Sequence, residues 1–255
     1  MKKQEIDFNR LMYSIERVAR KAGDYALKMQ SSAKKTVQKI EGDFATDIDF
    51  ECEELIKKEL SQIQPLFPVF TEEEYKRPEA DIYWVVDPLD GTKNYYPGLP
   101  LWSVNIALYD AKNKNILLGV VYLPKLGDLF KAYKGGGAYL NGEKIKPSNV
   151  TDPAEAKIYV ELPNKTTGFI GEEEFQKLRK EFYRIRTWGL GSALCYVASG
   201  AFDAFFDFCG TTRDYDIFAS MIIAKEAGCE VLQFDPAEKA ETRIIKVVNG
   251  KLKFS

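Results

Sequence analysis

A short apolar run that ends in carboxylates constrains this chain more than any other feature. Residues 82–86 read Ile-Tyr-Trp-Val-Val, and Asp87 follows directly. A run of this kind predicts a buried strand. Pro88 has no amide hydrogen to give to a sheet ladder, so we expect the strand to end there. Asp87, Asp90 and the carbonyl of Leu89 would then lie at a strand end, where α/β proteins place their ligands.

The two aspartates beside this run indicate a divalent cation. Carboxylates so close in the chain repel each other unless a cation lies between them, and hard oxygen ligands suit Mg²⁺. Gly91 lets the backbone approach a ligand closely, and Thr92 is placed to open a short helix whose first amides would face an anion. The alternative is an Asx turn, because Asp-Gly pairs are common in turns. The longer string favours the metal site.

Further acidic positions have a functional and a purely structural interpretation. Residues 72–74 are three glutamates, which is also typical of a solvated loop. Asp49 stands where a helix N-cap is expected, and Asp43 precedes it by six residues. Asp216 stands in the same N-cap position before a helix predicted from residue 217.

Composition excludes several catalytic strategies. The 255 residues include no histidine, so catalysis must use carboxylates, hydroxyls, lysines or a metal. The four cysteines show no zinc spacing and are expected to be core residues in a reducing compartment. With 36 basic and 38 acidic residues, nothing indicates nucleic acid or membrane partners. The N-terminus lacks the apolar stretch of a signal peptide, so we expect a cytoplasmic protein.

Periodicity predicts an α/β (α+β) chain in which helices and strands alternate. Helices are predicted at residues 5–32, 49–63, 172–182, 192–199 and 217–227. Strands are predicted at residues 82–86, 103–109, 116–123, 128–133, 138–140, 156–162, 184–187, 204–208, 230–234 and 243–248. Segments 31–42 and 164–171 are interpreted as polar or loop regions, with turns at 135–137 and a hairpin at Asn141–Gly142. Asp152 and Pro153 mark a boundary between an N-terminal part, 1–152, and a C-terminal part, 153–255.

Four motifs resemble those of the inositol monophosphatase family of Mg²⁺-dependent, lithium-sensitive phosphatases, in the family's chain order. They are residues 70–73 (FTEE), 84–95 (WVVDPLDGTKNY), 130–142 (FKAYKGGGAYLNG) and 214–228, which begin DYDIFAS and end KEAG. Residues 191–207 resemble the archaeal-type branch, whose members often hydrolyse both inositol 1-phosphate and fructose 1,6-bisphosphate. The resemblance implies a layered α-β-α-β-α sandwich, a homodimer, and two or three Mg²⁺ ions that Mn²⁺ can replace.

The resemblance also implies a role for each matching residue. The matches to metal ligands are Glu72, Asp87, the carbonyl of Leu89, Asp90, Asp216 and, for a third and weaker ion, Asp43. The matches to catalytic residues that position the attacking water are Glu72, Thr92 and Asp49, which holds the threonine. The matches to substrate contacts are Asp90, Gly91, Thr92, Gly189, Gly191, Asp207 and Asp216. The implied reaction is hydrolysis of a small phosphomonoester by a metal-activated water, without a covalent intermediate.

The last motif departs from the family pattern. Tyr215 stands where the family has tryptophan, and two extra residues precede the motif. Asp214 is therefore a rival to Asp216 as a metal ligand. The spacing to residues 226–228 favours Asp216.

Two other positions leave alternatives open. Thr71 replaces the family's glycine, so Glu72 and Glu73 both remain candidates for the ligand. Arg184 and Arg186 lie on a predicted strand close to Gly189. Arg186 is a candidate contact for a second substrate phosphate, because guanidinium groups bind phosphates as forks; the alternative is an exposed charge on a strand edge.

Two other functions within the family are also consistent with the sequence. A sister phosphatase acting on 3′-phosphoadenosine 5′-phosphate would use the same metals with a different pocket, although residues 93–95 look closer to the inositol branch. A family member that serves mainly as a partner of RNA polymerase or ribosome assembly would not need an intact metal site. Here every matching ligand is present.

Overall fold

The computed structural model describes residues 6–40, 43–74, 76–162, 171–208, 210, 212–236 and 243–254. These residues form six α-helices and three sheets. The helices are α1 (Phe8–Met29), α2 (Asp47–Ile63), α3 (Thr92–Tyr95), α4 (Glu172–Glu181), α5 (Leu194–Ala198) and α6 (Asp214–Ala227). Short 3₁₀ turns follow α1 at Gln30–Ser32 and precede α5 at Gly191–Ala193.

The strands divide into a hairpin, a seven-stranded sheet and a five-stranded sheet. The hairpin pairs β1 (Lys35–Ile40) with β2 (Asp43–Thr46). The seven-stranded sheet contains, in spatial order, β3 (Val69–Thr71), β4 (Ile82–Asp90), β5 (Ser103–Asp110), β6 (Asn115–Leu123), β7 (Asp128–Tyr133), β8 (Gly137–Leu140) and β9 (Glu143–Lys144). The five-stranded sheet consists of β10 (Lys157–Glu161), β11 (Arg184–Arg186), β12 (Ala204–Asp207), β13 (Glu230–Gln233) and β14 (Ile245–Val248), in the order β11-β10-β12-β14-β13.

These elements stack in five layers. The apolar stripe of α1 (Leu11, Ile15 and Val18 among others) packs with α2 on one face of the seven-stranded sheet. Helices α5 and α6 fill the space between the two sheets, where they share one core with both. Helix α4 covers the outer face of the five-stranded sheet. The predicted α-β-α-β-α sandwich is confirmed.

Helix α6 lies unusually close to the seven-stranded sheet because of one glycine. A Cβ atom at Gly119, on β6, would lie 2.5 Å from Cγ2 of Ile222 and 2.6 Å from the Ala219 carbonyl oxygen. No side chain fits there, so only glycine permits this approach. The close packing fixes the helix that carries Asp216 against the sheet that carries Asp87.

Most predicted elements are present, with ends shifted by a few residues. The Asn141–Gly142 hairpin is confirmed: both residues have positive φ, 51° and 89°, and Leu140 pairs with Glu143. Strands β1, β2 and β3 were not predicted. Residues 31–42 were predicted only to be polar, but residues 35–40 form β1. Residues 41–42 and 164–170 of the predicted loops lie outside the described residues, and the boundary at Asp152–Pro153 stays a prediction.

Three predicted element ends are wrong. Strand β4 does not stop at Pro88 but continues to Asp90, because a register shift against β5 between Asp87 and Asp90 makes room for the proline. Asp49 is not an N-cap: Thr46 is the cap of α2, and Asp49 is the third residue of the helix. Asp216 likewise is the third residue of α6, which begins at Asp214.

Two further expectations concern cysteines and membranes. Cys52 and Cys195 are buried as free thiols, as expected for core residues, and Cys229 is partly buried. Cys209 lies outside the described residues. Among the helices that the structure describes, none combines the length and the apolar character needed to cross a bilayer.

Candidate active site

Three carboxylates from two distant parts of the chain meet at one point. Asp87 and Asp90 come from the end of β4, and Asp216 comes from the first turn of α6. One carboxylate oxygen of each lies within 4.8 Å of those of the other two. Asp87 and Asp90 are buried, with 1% and 7% of their surface exposed. Three buried or partly buried acids this close need a cation or protons to coexist.

The Asx turn considered as an alternative is present, but it engages only one carboxylate oxygen of Asp87. Its Oδ1 accepts a hydrogen bond from the Leu89 amide at 2.9 Å. Its Oδ2 is buried and has no hydrogen-bond partner in the structure. A buried carboxylate oxygen without a donor is costly. The turn therefore leaves one buried oxygen of Asp87 without a donor, as a cation ligand requires.

Asp90 is held by donors that the sequence analysis did not identify. Its Oδ2 lies 3.2 Å from Asn105 Nδ2, 3.2 Å from the Ser192 amide and 3.4 Å from Ser103 Oγ. Burial raises the pKa of Asp90 to about 6, and these three donors oppose the rise. A signal was available: residues 103 and 105 are polar and alternate with apolar residues in β5, so they share one face.

Asp87, Asp216 and Glu72 interact electrostatically. Burial, and then the negative charges of Glu72, Asp90 and Asp216, raise the pKa of Asp87 well above its usual value. Burial, with Asp90 and Glu72 next in order, does the same for the pKa of Asp216, which the Arg213 amide lowers in part. Glu72 is thus the glutamate whose charge acts on the cluster. Glu73 instead directs its amide to Glu53 Oε2 at 3.3 Å.

Asp214, the rival of Asp216, is engaged by two arginines and is not a member of the carboxylate cluster found among the described residues. Its Oδ1 accepts from Arg243 Nη2 at 2.8 Å, and its Oδ2 accepts from Arg77 Nη2. Because two guanidinium groups already compensate its charge, Asp214 is not available to a metal ion. The geometry therefore supports Asp216 as the candidate ligand.

A hydroxyl and a carboxylate extend the site beside Asp87. The Thr92 hydroxyl lies 2.9 Å from Asp49 Oδ1 and 3.1 Å from the Leu89 carbonyl oxygen. Asp49 is fully buried, and its Oδ2 accepts from the Thr46 amide at 2.9 Å. Gly91 caps α3 with φ of 86°, a left-handed conformation that favours glycine. The predicted association of Asp49 with Thr92 is thus present in the geometry.

Three further predicted substrate contacts are Gly189, Gly191 and Asp207. Gly191 lies against α6, since a Cβ atom there would be 2.8 Å from the Asp216 carbonyl oxygen. Gly189 is exposed, with φ of 64°. Asp207 ends β12 and is buried. Beside it in register stands Glu161, which the sequence analysis missed.

Glu161 is partly buried and lies on the same side of the site as Asp207. Tyr159 donates its hydroxyl to Glu161 Oε2 at 2.7 Å, and the same hydroxyl accepts from the Leu190 amide at 3.1 Å. Burial raises the pKa of Glu161 to about 7, with smaller contributions from the charges of Asp207 and Asp90. No motif marked this residue, because its role depends on strand pairing.

No contact among the described residues brings Arg184 or Arg186 to the carboxylate cluster. Arg186 is exposed on edge strand β11, where its Nη1 donates to the Ile185 carbonyl at 2.9 Å. This agrees with an exposed charge on a strand edge. Arg184 donates to the carbonyls of Ala154 and Glu155. The side chain of Asp43 lies outside the described residues.

The donor set fits a hard divalent cation. All candidate ligand atoms are oxygens, the three aspartates converge, and Asp87 Oδ2 has no hydrogen-bond partner among the residues that the structure describes. Fold and cluster together define a layered α-β-α-β-α protein with a candidate cation site. The model of the inositol monophosphatase family matches residues 9–251, and the chain belongs to that family.

Individual relatives agree with this family assignment. The chain is 32% identical over 252 residues to the Nus factor SuhB of Pasteurella multocida, which covers 92% of this chain and 93% of the relative. It is 34% identical over 237 residues to the fructose-1,6-bisphosphatase/inositol-1-monophosphatase of Thermotoga maritima, covering 90% and 87%. The solved structure of the Thermotoga maritima IMPase has a TM-score of 0.82 at 29% identity, covering 95% and 93%.

Proposed function

We propose that this chain is a Mg²⁺-dependent phosphomonoesterase that hydrolyses small polyol or sugar phosphates, namely inositol 1-phosphate, fructose 1,6-bisphosphate or both. The observation that carries the proposal is the convergence of Asp87, Asp90 and Asp216 around an unsatisfied buried oxygen. The relative named fructose-1,6-bisphosphatase/inositol-1-monophosphatase supports the choice of substrates.

The residues that would hold the ions are Glu72, Asp87, the Leu89 carbonyl, Asp90 and Asp216, with Asp43 for a third ion. Bound Mg²⁺ supplies positive charge that lowers the pKa of a water and offsets charge on the phosphoryl oxygens. The chain's part is to hold these oxygens at fixed positions. Asp90 does so through Asn105 and Ser192, and Asp216 through the Arg213 amide at 2.6 Å.

Thr92 would orient the attacking water together with Glu72. Its hydroxyl hydrogen is directed to Asp49, so the oxygen lone pairs remain to accept a hydrogen from water. Asp49 is itself held by Thr46, so the threonine rotamer is fixed. This arrangement provides the positioning on which phosphoryl transfer depends.

The substrate would lie between the start of α3 and the ends of β10 and β12. The amides of Gly91 and Thr92 would receive the phosphate. Asp207, Gly189 and Gly191 would contact substrate hydroxyls, with Asp90 and Asp216 nearby. Carboxylates accept hydrogen bonds from hydroxyl groups, so this side of the site suits a polyol.

A phosphate-release assay tests the proposal. Inositol 1-phosphate, fructose 1,6-bisphosphate and 3′-phosphoadenosine 5′-phosphate are each supplied with Mg²⁺ or with EDTA. We expect Mg²⁺-dependent release from the first, the second or both; preferential release from the adenosine bisphosphate would favour the sister phosphatase instead. Asp90→Asn should lower turnover by on the order of 100-fold or more while the fold is retained. Asp81→Asn, an exposed aspartate paired with Lys112, is the matched control.

A crystal soaked in Mn²⁺ gives an independent test. An anomalous peak in contact with Asp87, Asp90 and Asp216 is the expected result. Its absence, or Mg²⁺-dependent hydrolysis by Asp90→Asn at the wild-type rate, would contradict the proposal. The homodimer is a separate proposal, which light scattering on the purified protein checks.

A second candidate function is supported by the relative named a Nus factor. On this view the chain serves mainly as a partner of RNA polymerase or of ribosome assembly, and hydrolysis is incidental. Capture of RNA polymerase by both the wild type and Asp90→Asn, without Mg²⁺, would favour it. The intact carboxylate cluster favours the enzyme.

A further inference from the structure

A buried aspartate beside the cluster is bound by two arginines from different segments. Asp214 is 4% exposed, and each of its two oxygens accepts from a different guanidinium group. Arg243, just before β14, is 1% exposed. Arg77, in the segment after β3, leaves half of its side chain exposed. One carboxylate therefore joins three parts of the chain.

Two of these parts supply candidate metal ligands. Arg77 follows Glu72 by five residues, and Asp214 precedes Asp216 by two, in the first turn of α6. The Arg77–Asp214 pair thus joins the two segments whose Glu72 and Asp216 interact electrostatically. Aromatic rings of the same two segments also pack against each other.

The aromatic contacts show how the two segments fit. Phe70, two residues before Glu72, has its ring centroid 5.9 Å from that of Tyr215. The Arg77 guanidinium lies 5.7 Å from the Phe70 ring centroid, within the range of a cation–π contact. Tyr215, the departure from the family's tryptophan, is therefore part of this contact.

Electrostatic repulsion within the carboxylate site would separate the Glu72 segment from α6 unless another contact held them together. Glu72 and Asp216 carry like charges, which repel each other until a cation arrives. Glu72 directly follows the short strand β3, which among the described strands lies at the edge of the sheet beside β4. An ion pair that joins the Glu72 segment to α6 opposes this repulsion.

We infer that Arg77 is a positioning residue, which keeps the Glu72 segment next to the first turn of α6, and so next to Asp216, before a metal ion binds. The inference rests on the proposed function, since it assumes that these two residues are ligands. Loss of Arg77 should not unfold the protein, because Asp214 keeps its hydrogen bond to the buried Arg243. A mutation of Arg77 should thus change metal affinity more than stability.

The test measures Mn²⁺ binding by isothermal titration calorimetry, which does not depend on turnover. Arg77→Met should weaken Mn²⁺ binding by roughly tenfold, the low end of losses from outer-shell residues. Arg77→Lys, which keeps the charge, should restore part of the affinity. Arg20→Met is the matched control, because Arg20 on α1 is also partly exposed, paired with Glu16 and stacked on an aromatic ring, Tyr122.

Three results would overturn the inference or its basis. If Arg77→Met binds Mn²⁺ as tightly as the wild type, or if Arg20→Met weakens binding equally, Arg77 has no special positioning role. If the wild type itself binds no Mn²⁺, the proposed metal site fails as well, so the two failures are distinguishable. Urea unfolding checks that each variant is folded, and Arg77→Gln replaces Arg77→Met in the same titration if the latter does not fold.

Discussion

At the scale of single residues, hydrogen bonds hold several functional groups of the candidate site in place. Asp49 fixes Thr92 and is fixed by Thr46, and Asp90 is fixed by Asn105 and Ser192. These contacts orient oxygens that would otherwise sample several rotamers. Such preorganisation is what a metal-assisted hydrolase requires of its protein.

Thr92 gives the residue-scale prediction. Thr92→Ala removes the hydroxyl that would orient the water, and kcat for the best substrate should fall by about 100-fold. Thr92→Ser keeps the hydroxyl next to Asp49 and should stay within a few fold of the wild type. Steady-state kinetics at saturating Mg²⁺ measure both. A Thr92→Ala variant with wild-type kcat would show that the hydroxyl has no part in the reaction.

The residues of the cluster were predictable from sequence, but their supporting contacts were not. Asp87 and Asp90 stood in a motif after a strong strand signal, and the geometry agrees with their predicted proximity. Glu161 and Asn105 had no motif, because their places depend on which strands pair. The choice between Asp214 and Asp216 was likewise decided by Arg77 and Arg243, which lie far away in the chain.

At the scale of elements, parts of two family motifs have a structural explanation. Glu226, near the end of α6, accepts from the Gly135 amide at 2.9 Å and from the Gly137 amide at 3.0 Å. Both glycines have positive φ, 81° and 77°. The glycine-rich turn between β7 and β8 is therefore fastened to the helix that carries Asp216.

Glu226 gives the element-scale prediction. Glu226→Ala leaves the two turn amides without their charged acceptor and should lower the free energy of unfolding by about 2 kcal/mol. At saturating Mg²⁺, kcat should change little, since Glu226 lies outside the carboxylate cluster. Urea unfolding and kinetics measure the two effects, with Glu230→Ala at an exposed position as control. Equal stability of both variants would mean that the Glu226 contacts contribute nothing.

The elements with a clear period were predicted, and the others were missed for physical reasons. Helix α1 and strand β6 have long regular patterns, so local sequence is enough. Strand β3 has three residues, and the β1–β2 hairpin is largely polar, so neither has a recognisable pattern. The predicted strand end at Pro88 is wrong because a register shift between β4 and β5 accommodates the proline.

At the scale of the whole molecule, one core joins both sheets through α6. Tyr159 and Phe205 of the five-stranded sheet belong to the same apolar cluster as Tyr83 and Val85 of the seven-stranded sheet. The cluster of carboxylates lies at the edge of this shared core. The charge of the site therefore acts on the stability of the entire fold.

The last prediction concerns pH and metal together. Burial raises the pKa of Asp90 from 3.8 to about 6 and shifts the pKa values of Asp87 and Asp216 in the same direction. At a pH between the ordinary pKa of such a carboxyl group and its raised pKa, the folded chain keeps a proton that the unfolded chain has lost. The stability of the metal-free protein should therefore fall as pH rises from about 3.8 through about 6, by at most about 1.4 kcal/mol per pH unit for each proton.

Urea unfolding in EDTA at pH 5.0 and 7.5 measures this fall, and Asp90→Asn, which lacks one titrating group, should show a smaller one. Mg²⁺ at pH 7.5 should then stabilise the wild type, by about 2.7 kcal/mol at a hundred times its Kd, because a cation takes over the role of the protons. Asp90→Asn should gain less from the same addition. If the metal-free wild type and Asp90→Asn respond equally to pH, the raised pKa of Asp90 is wrong; if Mg²⁺ stabilises neither, the cluster is not a metal site.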